Sequence, residues 1–452
     1  MQKTAVISSQ ISKREQRYTV FYSDVEETTR RGFGRVARLP CIFDSRPGYH
    51  KLSSRYLIDR GLGLWHPKLV QTGLPRTSPT ECSIRNYASW LANFLSWAEA
   101  REVDATTCDY VGGIYEGYQN ELLTGRWSRD ECSLQPTTVN SYVDVACDYL
   151  AWMAHKGERD PFLVSSCDVA AMSQLGDSGA GAAAPRDGKV RVNLRNLNMP
   201  SDDATGKWLV GVYKKHGEGV GLACELVLLG ALRRAEIEAF RLDTIPINRD
   251  EWKTANPTSL PQDQNIKIEI SYGCKGKSYG RDHGDKIGPS RTIYIPLHLA
   301  ERIERYRAEL RPRQVREWAK KQKGVGAQKS LIKSAVHLFR DGEGDRLTAR
   351  GLYRAWTSVP LPIDGWSPHA GRDFWACSTL WREMMTNYQL DDLKGIPVSD
   401  ISSLAMNIVR MKIQPQLGHK DVKTSLLYVR WIVDMLGTAL PSLYIAELER
   451  QQ

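Results

Sequence analysis

Residues 173 to 189, SQLGDSGAGAAAPRDGK, are rich in Gly, Ala and Ser and carry no apolar period. A stretch of this kind pays backbone entropy on ordering and buries little, so it reads as a flexible linker. It divides the chain into parts that must each build their own core. At 452 residues the chain is long enough for two or three such cores.

Ahead of the linker the apolar pattern is helical. Ile84, Tyr87, Ala88, Leu91, Phe94, Leu95 and Ala98 recur at steps of three and four, and Val139, Tyr142, Val143, Ala146, Leu150 and Met153 do the same. Thr137 or Thr138 is a candidate cap for the second helix, and Tyr110 to Leu123 reads as a helix between them. These segments predict a small bundle over 79–163, with a linker over 164–190 and a larger, mainly helical domain over 191–452. In that larger domain Ile266 to Ile270 and Arg291 to Pro296 alternate around a glycine-rich break, which predicts one antiparallel β element. Residues 1–78 lack long helical periodicity and carry Arg30, Arg31, Arg35 and Arg38. They form either a DNA-contacting arm or an accessory packing module with a solvated surface.

The chain holds 62 Lys and Arg against 52 Asp and Glu, a formal charge of +10 with a pI near 9.0. That balance favours a polyanionic partner without proving one. Basic residues concentrate from Arg302 to Lys333, where a solvated helix is the alternative to a phosphate-binding face. Nine scattered cysteines with no Cys-x-x-Cys suggest neither a disulfide framework nor a zinc site, and fit reduced thiols in a cytosol. No run approaches 18 uncharged apolar residues, so a soluble, non-secreted chain is expected, with no membrane partner.

Three short motifs carry chemistry. Gly230-Ala231-Leu232-Arg233-Arg234-Ala235-Glu236 sets arginine in an apolar helical context, where Glu236 is its nearest partner and a structural Arg–Glu pair is the bland alternative. Pro368-His369-Ala370-Gly371-Arg372 puts His369 and Arg372 three apart, on one side of a helix that Pro368 permits to begin there. Leu417-Gly418-His419 is followed nine positions later (428 − 419 = 9) by Tyr428. Taken singly, each is ordinary: a buried tyrosine is usually core, and His-x-x-Arg recurs by chance. Together, two arginines, two histidines and a tyrosine supply what breaking a phosphodiester without a metal requires. Arginines neutralise the non-bridging oxygens, imidazoles handle protons and hydrogen bonds, and a phenol is the nucleophile.

In these blocks, taken in order, the chain resembles the tyrosine recombinases, or phage integrases, over roughly residues 80–450. The resemblance implies a mainly α fold with a small antiparallel β-sheet. A helical core-site DNA-binding domain and a mixed α/β catalytic domain would close on DNA as a C-shaped clamp. It implies catalytic roles for Arg233, Lys275, His369, Arg372, His419 and Tyr428, with Glu236 as a structural supporter. Lys275 lies in the β turn, where Lys277 is an equally placed rival, and the loop from Ser278 to Ser290 is longer than the family pattern. Many members have a second histidine after the arginine, where this chain has Asp373. The implied partners are double-stranded DNA bearing specific sites, a homotetramer formed on it, and accessory DNA-bending proteins, in a bacterial cytoplasm and without metal or other cofactor. The segment Ile432 to Leu448 is expected to end the chain as a helix that docks on a neighbouring protomer or caps its own domain. A supercoil-relaxing topoisomerase and a non-catalytic DNA-binding protein are the alternative functions.

Overall fold

The computed structural model describes residues 17–46, 48–66, 78–128, 130–164, 186–192, 195–321, 323–387 and 397–436. Most of the expected linker, and the expected C-terminal helix beyond Leu436, lie outside the described residues. The described chain is mostly helical with two small antiparallel sheets, and it divides into two units, Met1–Leu194 and Arg195–Gln452. No described helix is long and apolar enough to cross a membrane.

The first unit opens with strands β1 (Thr19–Tyr22) and β2 (Pro40–Phe43), paired antiparallel, with the short helix α1 (Val25–Arg30) between them. Helices α2 (Lys51–Gly61), α3 (Glu81–Ala100), α4 (Asn120–Thr124) and α5 (Pro136–His155) follow, and a π-helical segment, Tyr110–Gln119, leads into α4. Thr80 caps α3 by accepting from the Ser83 amide at 3.2 Å. At α5 the expected threonine cap is replaced. Gln135 is the cap residue without a side-chain bond, and Pro136 occupies the first helical position, where its missing N–H costs nothing.

The boundary expected at residue 78 has no counterpart in the packing. Ile42, Tyr56 and Leu57 are fully buried in the same core as Leu91, Phe94, Leu150 and Trp152. Asp148 of α5 fixes that union by accepting from Tyr56 Oη at 2.8 Å, Arg60 Nε at 3.1 Å and Trp65 Nε1 at 2.8 Å. The three donors offset part of the desolvation of this carboxylate, whose pKa stays raised by burial. The N-terminal segment is therefore part of the bundle.

The second unit is built on α6 (Asp202–Gly230), broken at Gly217, where φ is +79°. Beyond the break the helix is buried almost all round, from Gly219 to Leu228. Against it packs a four-stranded antiparallel sheet in the order β3 (Lys253–Thr254), β4 (Asn265–Tyr272), β6 (Asp285–Pro296), β5 (Gly280–Asp282). Alternation explains the register. Ile266 pairs with Ile295 and Ile268 with Ile293, and all four turn to the buried face. The long loop expected from Ser278 to Ser290 is folded instead. His283 and Gly284, both at positive φ, make a tight turn that pairs Asp282 with Asp285 and extends the sheet.

Helix α7 (Arg234–Glu238) follows α6, and after the sheet come α8 (Leu297–Arg305), α9 (Arg311–Lys320), α10 (Val325–Ser334), α11 (Ala349–Trp356), α12 (Pro368–Asn387), α13 (Val398–Ile408), α14 (Gln414–Leu417) and α15 (Leu426–Leu436). Residues of α12, α13, α14 and α15 form a second core, which contains Leu417 and Tyr428.

Candidate active site

The site is assembled where three chain breaks in the second unit meet. Helix α6 does not run on through Arg233 as the apolar pattern suggests. Ala231 takes the left-handed conformation (φ +54°) and ends the helix, and Arg233 is the cap residue of α7. The guanidinium is thereby released from the apolar helix face. Glu236, one turn on, accepts from the Arg233 amide at 2.7 Å and from Nη1 at 2.9 Å.

The second break ends α14. Gly418 sits at φ +62°, its N–H bonded to Pro415 O at 3.0 Å, and this turn exposes the carbonyl of Leu417. Both arginines converge on that oxygen, Arg233 through Nη2 at 2.7 Å and Arg372 through Nη2 at 2.9 Å. Arg233 also reaches Gly418 O at 3.3 Å, and Arg372 Nη1 bonds Ala231 O. The bonds described occupy three of five N–H groups on Arg233 and two of five on Arg372, leaving donors for an anion. A Cβ at Gly418 would stand 2.8 Å from Arg291 Cδ, so glycine is required by space as well as by φ.

The third break starts α12, where Pro368 opens the helix and Ser367 Oγ accepts from the Ala370 amide at 3.3 Å. Arg372 is 3 % exposed and held down to about 9 by burial and by neighbouring Arg233, so it stays charged at neutral pH. His369, on the same helix, is exposed by area and makes no hydrogen bond among the described residues. Close packing of its ring nevertheless lowers its pKa. Asp373 opposes the shift, while Arg195, Arg372 and Arg233 add to it. Those three cations favour the neutral ring independently of its burial.

His419 leaves the Gly418 turn with its amide on Gln414 O at 3.1 Å and its Nδ1 2.9 Å from Ser425 Oγ. Burial, then Arg372 and Arg233, bring its pKa down to about 4, so the ring is neutral at pH 7. It lies parallel to the Tyr428 ring, with centroids 6.4 Å apart and an 8° interplanar angle. Tyr428, on α15, is 2 % exposed, and its hydroxyl donates to Asp373 Oδ1 at 2.8 Å. Burial and the Asp373 charge push the phenol well above its usual range.

Arg233, Glu236, Arg372, His419 and Tyr428 are thus gathered into one cluster with His369 beside it, although 195 residues separate Arg233 from Tyr428 (428 − 233 = 195). Lys275 is not tied into it. It is exposed in the loop after β4, next to Cys274, whose buried thiol feels the charges of Glu236, Arg291 and Arg233. Lys286 braces that loop by donating to Cys274 O at 3.2 Å and to Gly276 O.

Four further residues shape the cluster and carry no motif. Arg291, on β6, donates to Glu236 Oε2 at 2.7 Å and to Gln416 O. Gln416 locks the Gly418 turn to the sheet and to α6, donating to Tyr294 O at 2.8 Å and Gly230 O at 3.0 Å. Asp373 holds Tyr428, and Arg195 Nη2 stands 2.9 Å from Asp373 Oδ2. Only Asp373 left a trace in the sequence, as a departure from the family pattern.

The chain matches no protein-family description and no curated protein. It is similar, at low identity, to several solved structures. The integrase of transposon Tn1549 in complex with circular intermediate DNA is 11 % identical, covering 80 % of this chain and 92 % of that one, with a TM-score of 0.42. A variant of the same integrase with transposon right end DNA is 13 % identical over 85 % and 96 %, at 0.40. XerA recombinase is 13 % identical over 82 % and 92 %, at 0.29.

Proposed function

We propose that this chain is a tyrosine site-specific recombinase that cleaves and rejoins duplex DNA through a 3′-phosphotyrosyl intermediate. The observation that carries the reading is the convergence of Arg233 and Arg372 on one carbonyl, two residues before His419, whose ring lies along Tyr428. Two guanidiniums in a partly buried site, with one carboxylate close to both, present more positive charge than the protein itself neutralises. A scissile phosphate would restore the balance and would take over the donors now resting on Leu417 O.

In this reading Arg233, Arg372 and the neutral His419 bind the non-bridging oxygens and stabilise the charge that develops on them. If Ser425 donates to His419 Nδ1, Nε2 carries the hydrogen and donates to the phosphate. Tyr428 attacks phosphorus in line, and its phenol, protonated in the resting chain, gives up its proton as the bond forms. Lys275, on the loop beside the Glu236 cluster, protonates the departing 5′ oxygen. The phosphotyrosyl bond conserves the energy of the broken one, so a 5′-hydroxyl from another strand reverses the step. Site-specific exchange by a tetramer at a four-way junction, and integration or excision of a mobile element, are the corresponding biology.

The test is a nicked suicide duplex carrying a recombination site taken from the DNA that flanks the gene. The wild-type chain should become covalently attached to it, and Tyr428→Phe should bind it without attachment. Relaxation of supercoiled plasmid lacking any site would turn the assignment towards a topoisomerase.

A further inference from the structure

Resting on that recombinase reading, we propose that Asp373 is the acceptor of the Tyr428 proton during strand cleavage. Asp373 is 2 % exposed, and its two oxygens have separate tasks. Oδ1 accepts from the Tyr428 hydroxyl at 2.8 Å, and Oδ2 faces the Arg195 guanidinium at 2.9 Å. A buried carboxylate is costly without partners, and this one has a proton donor and a cation. The groups facing it are Tyr428 from α15, Arg195 from the segment ahead of α6, and His369 and Cys377 from its own helix.

Proton transfer requires an acceptor within hydrogen-bond reach of the proton it takes, and Asp373 already meets that condition. His369, to which the resemblance gives that proton, lies one helical turn earlier and makes no such bond among the described residues. In the step, the Tyr428 Oη–phosphorus bond forms as the phenolic proton passes to Asp373 Oδ1. The bond from phosphorus to the 5′ oxygen breaks, and that oxygen takes a proton from the Lys275 ammonium. A carboxylate becomes a carboxylic acid and an ammonium becomes an amine, so charge and protons balance. Rejoining runs the transfers backwards. The competing explanation is a latch that merely seats a core tyrosine.

Asp373→Asn tests the two, because it keeps the size and loses the basicity, together with the charge that meets Arg195. The full-length variant should melt and bind duplex like wild type, while adduct formation on the nicked suicide duplex falls at least ~100-fold, the usual contribution of a positioned base. A second duplex, with sulfur in place of the bridging 5′ oxygen, supplies a leaving group that needs no proton. Sulfur should rescue Lys275→Ala and leave Asp373→Asn slow. Should Asp373→Asn not fold, Asp373→Glu and Asp373→Gln give the same contrast at equal size, with only the carboxylate forming adduct. Wild-type rates for Asp373→Asn, rescue of it by sulfur, or equal rates for Glu and Gln would overturn the proposal alone. A wild-type chain that forms no Tyr428-dependent adduct would overturn the recombinase reading with it.

Discussion

One carboxylate governs the charge of the site. Glu236 is 1 % exposed and pairs with Arg233 and Arg291, with Arg372 4.0 Å away. Burial alone would raise its pKa, but Arg291 and Arg233 outweigh it and the net shift is downward. Glu236→Gln leaves buried guanidiniums without their counter-charge and should cost about 3–5 kcal/mol of stability in urea unfolding. His419 gives a pH signature. Its folded pKa, about 4, lies below the value near 6.5 expected when unfolded, so over that window the unfolded chain binds the extra proton. Stability should fall as pH drops from about 6.5 towards 4, and His419→Gln should lose less than wild type when urea midpoints at pH 7 and 5 are compared. Arg233, His369, Arg372, His419 and Tyr428 were legible because their spacing is local. Arg291 reads only as a strand residue, and Arg195 belongs to no local pattern. Their roles arise from pairings across 55 and 178 positions (291 − 236, 373 − 195), which no local pattern carries.

At the scale of elements, the site depends on chain breaks. The α6 periodicity is legible, but its stop at Ala231 is not, since a left-handed alanine has no sequence signal comparable with glycine. The same limit hid the β5–β6 hairpin: only Gly284 marks the turn, and Arg281, Asp282 and His283 break the apolar alternation. Gly418 is the reverse case, a glycine whose φ of +62° is needed to turn Leu417 O towards both arginines. Gly418→Ala should cost about 1–2 kcal/mol from the left-handed backbone, and the new methyl should displace Arg291 and slow cleavage more than it weakens DNA binding. Paired thermal melts and adduct time courses check both parts.

For the whole molecule, net charge overstates the free cationic surface. Within the basic stretch, Arg302 pairs with Glu225, Lys321 pairs with Glu343 at 2.7 Å, Arg307 bonds the carbonyls of Leu242 and Ile245, and buried Arg311 bonds those of His337 and Leu338. Lys323, Lys329 and Lys333 are exposed. Replacing those three lysines should flatten the salt dependence of duplex binding, by roughly 0.9 in log–log slope for each phosphate that is no longer neutralised. Arg311→Ala should instead destabilise the fold. The two units divide at Leu194 and Arg195, a few residues beyond the Gly-, Ala- and Ser-rich stretch 173–189, whereas the union of residues 17–66 with the bundle left no sequence signal, because it rests on Asp148 and on a shared core. The most direct test of the whole account is the covalent product on a nicked suicide duplex bearing a candidate site from the DNA that flanks the gene. Protease digestion and peptide mass measurement should find the 3′ phosphate on Tyr428, with no adduct from Tyr428→Phe. A nucleotide attached to any other residue, or adduct persisting in Tyr428→Phe, would contradict it.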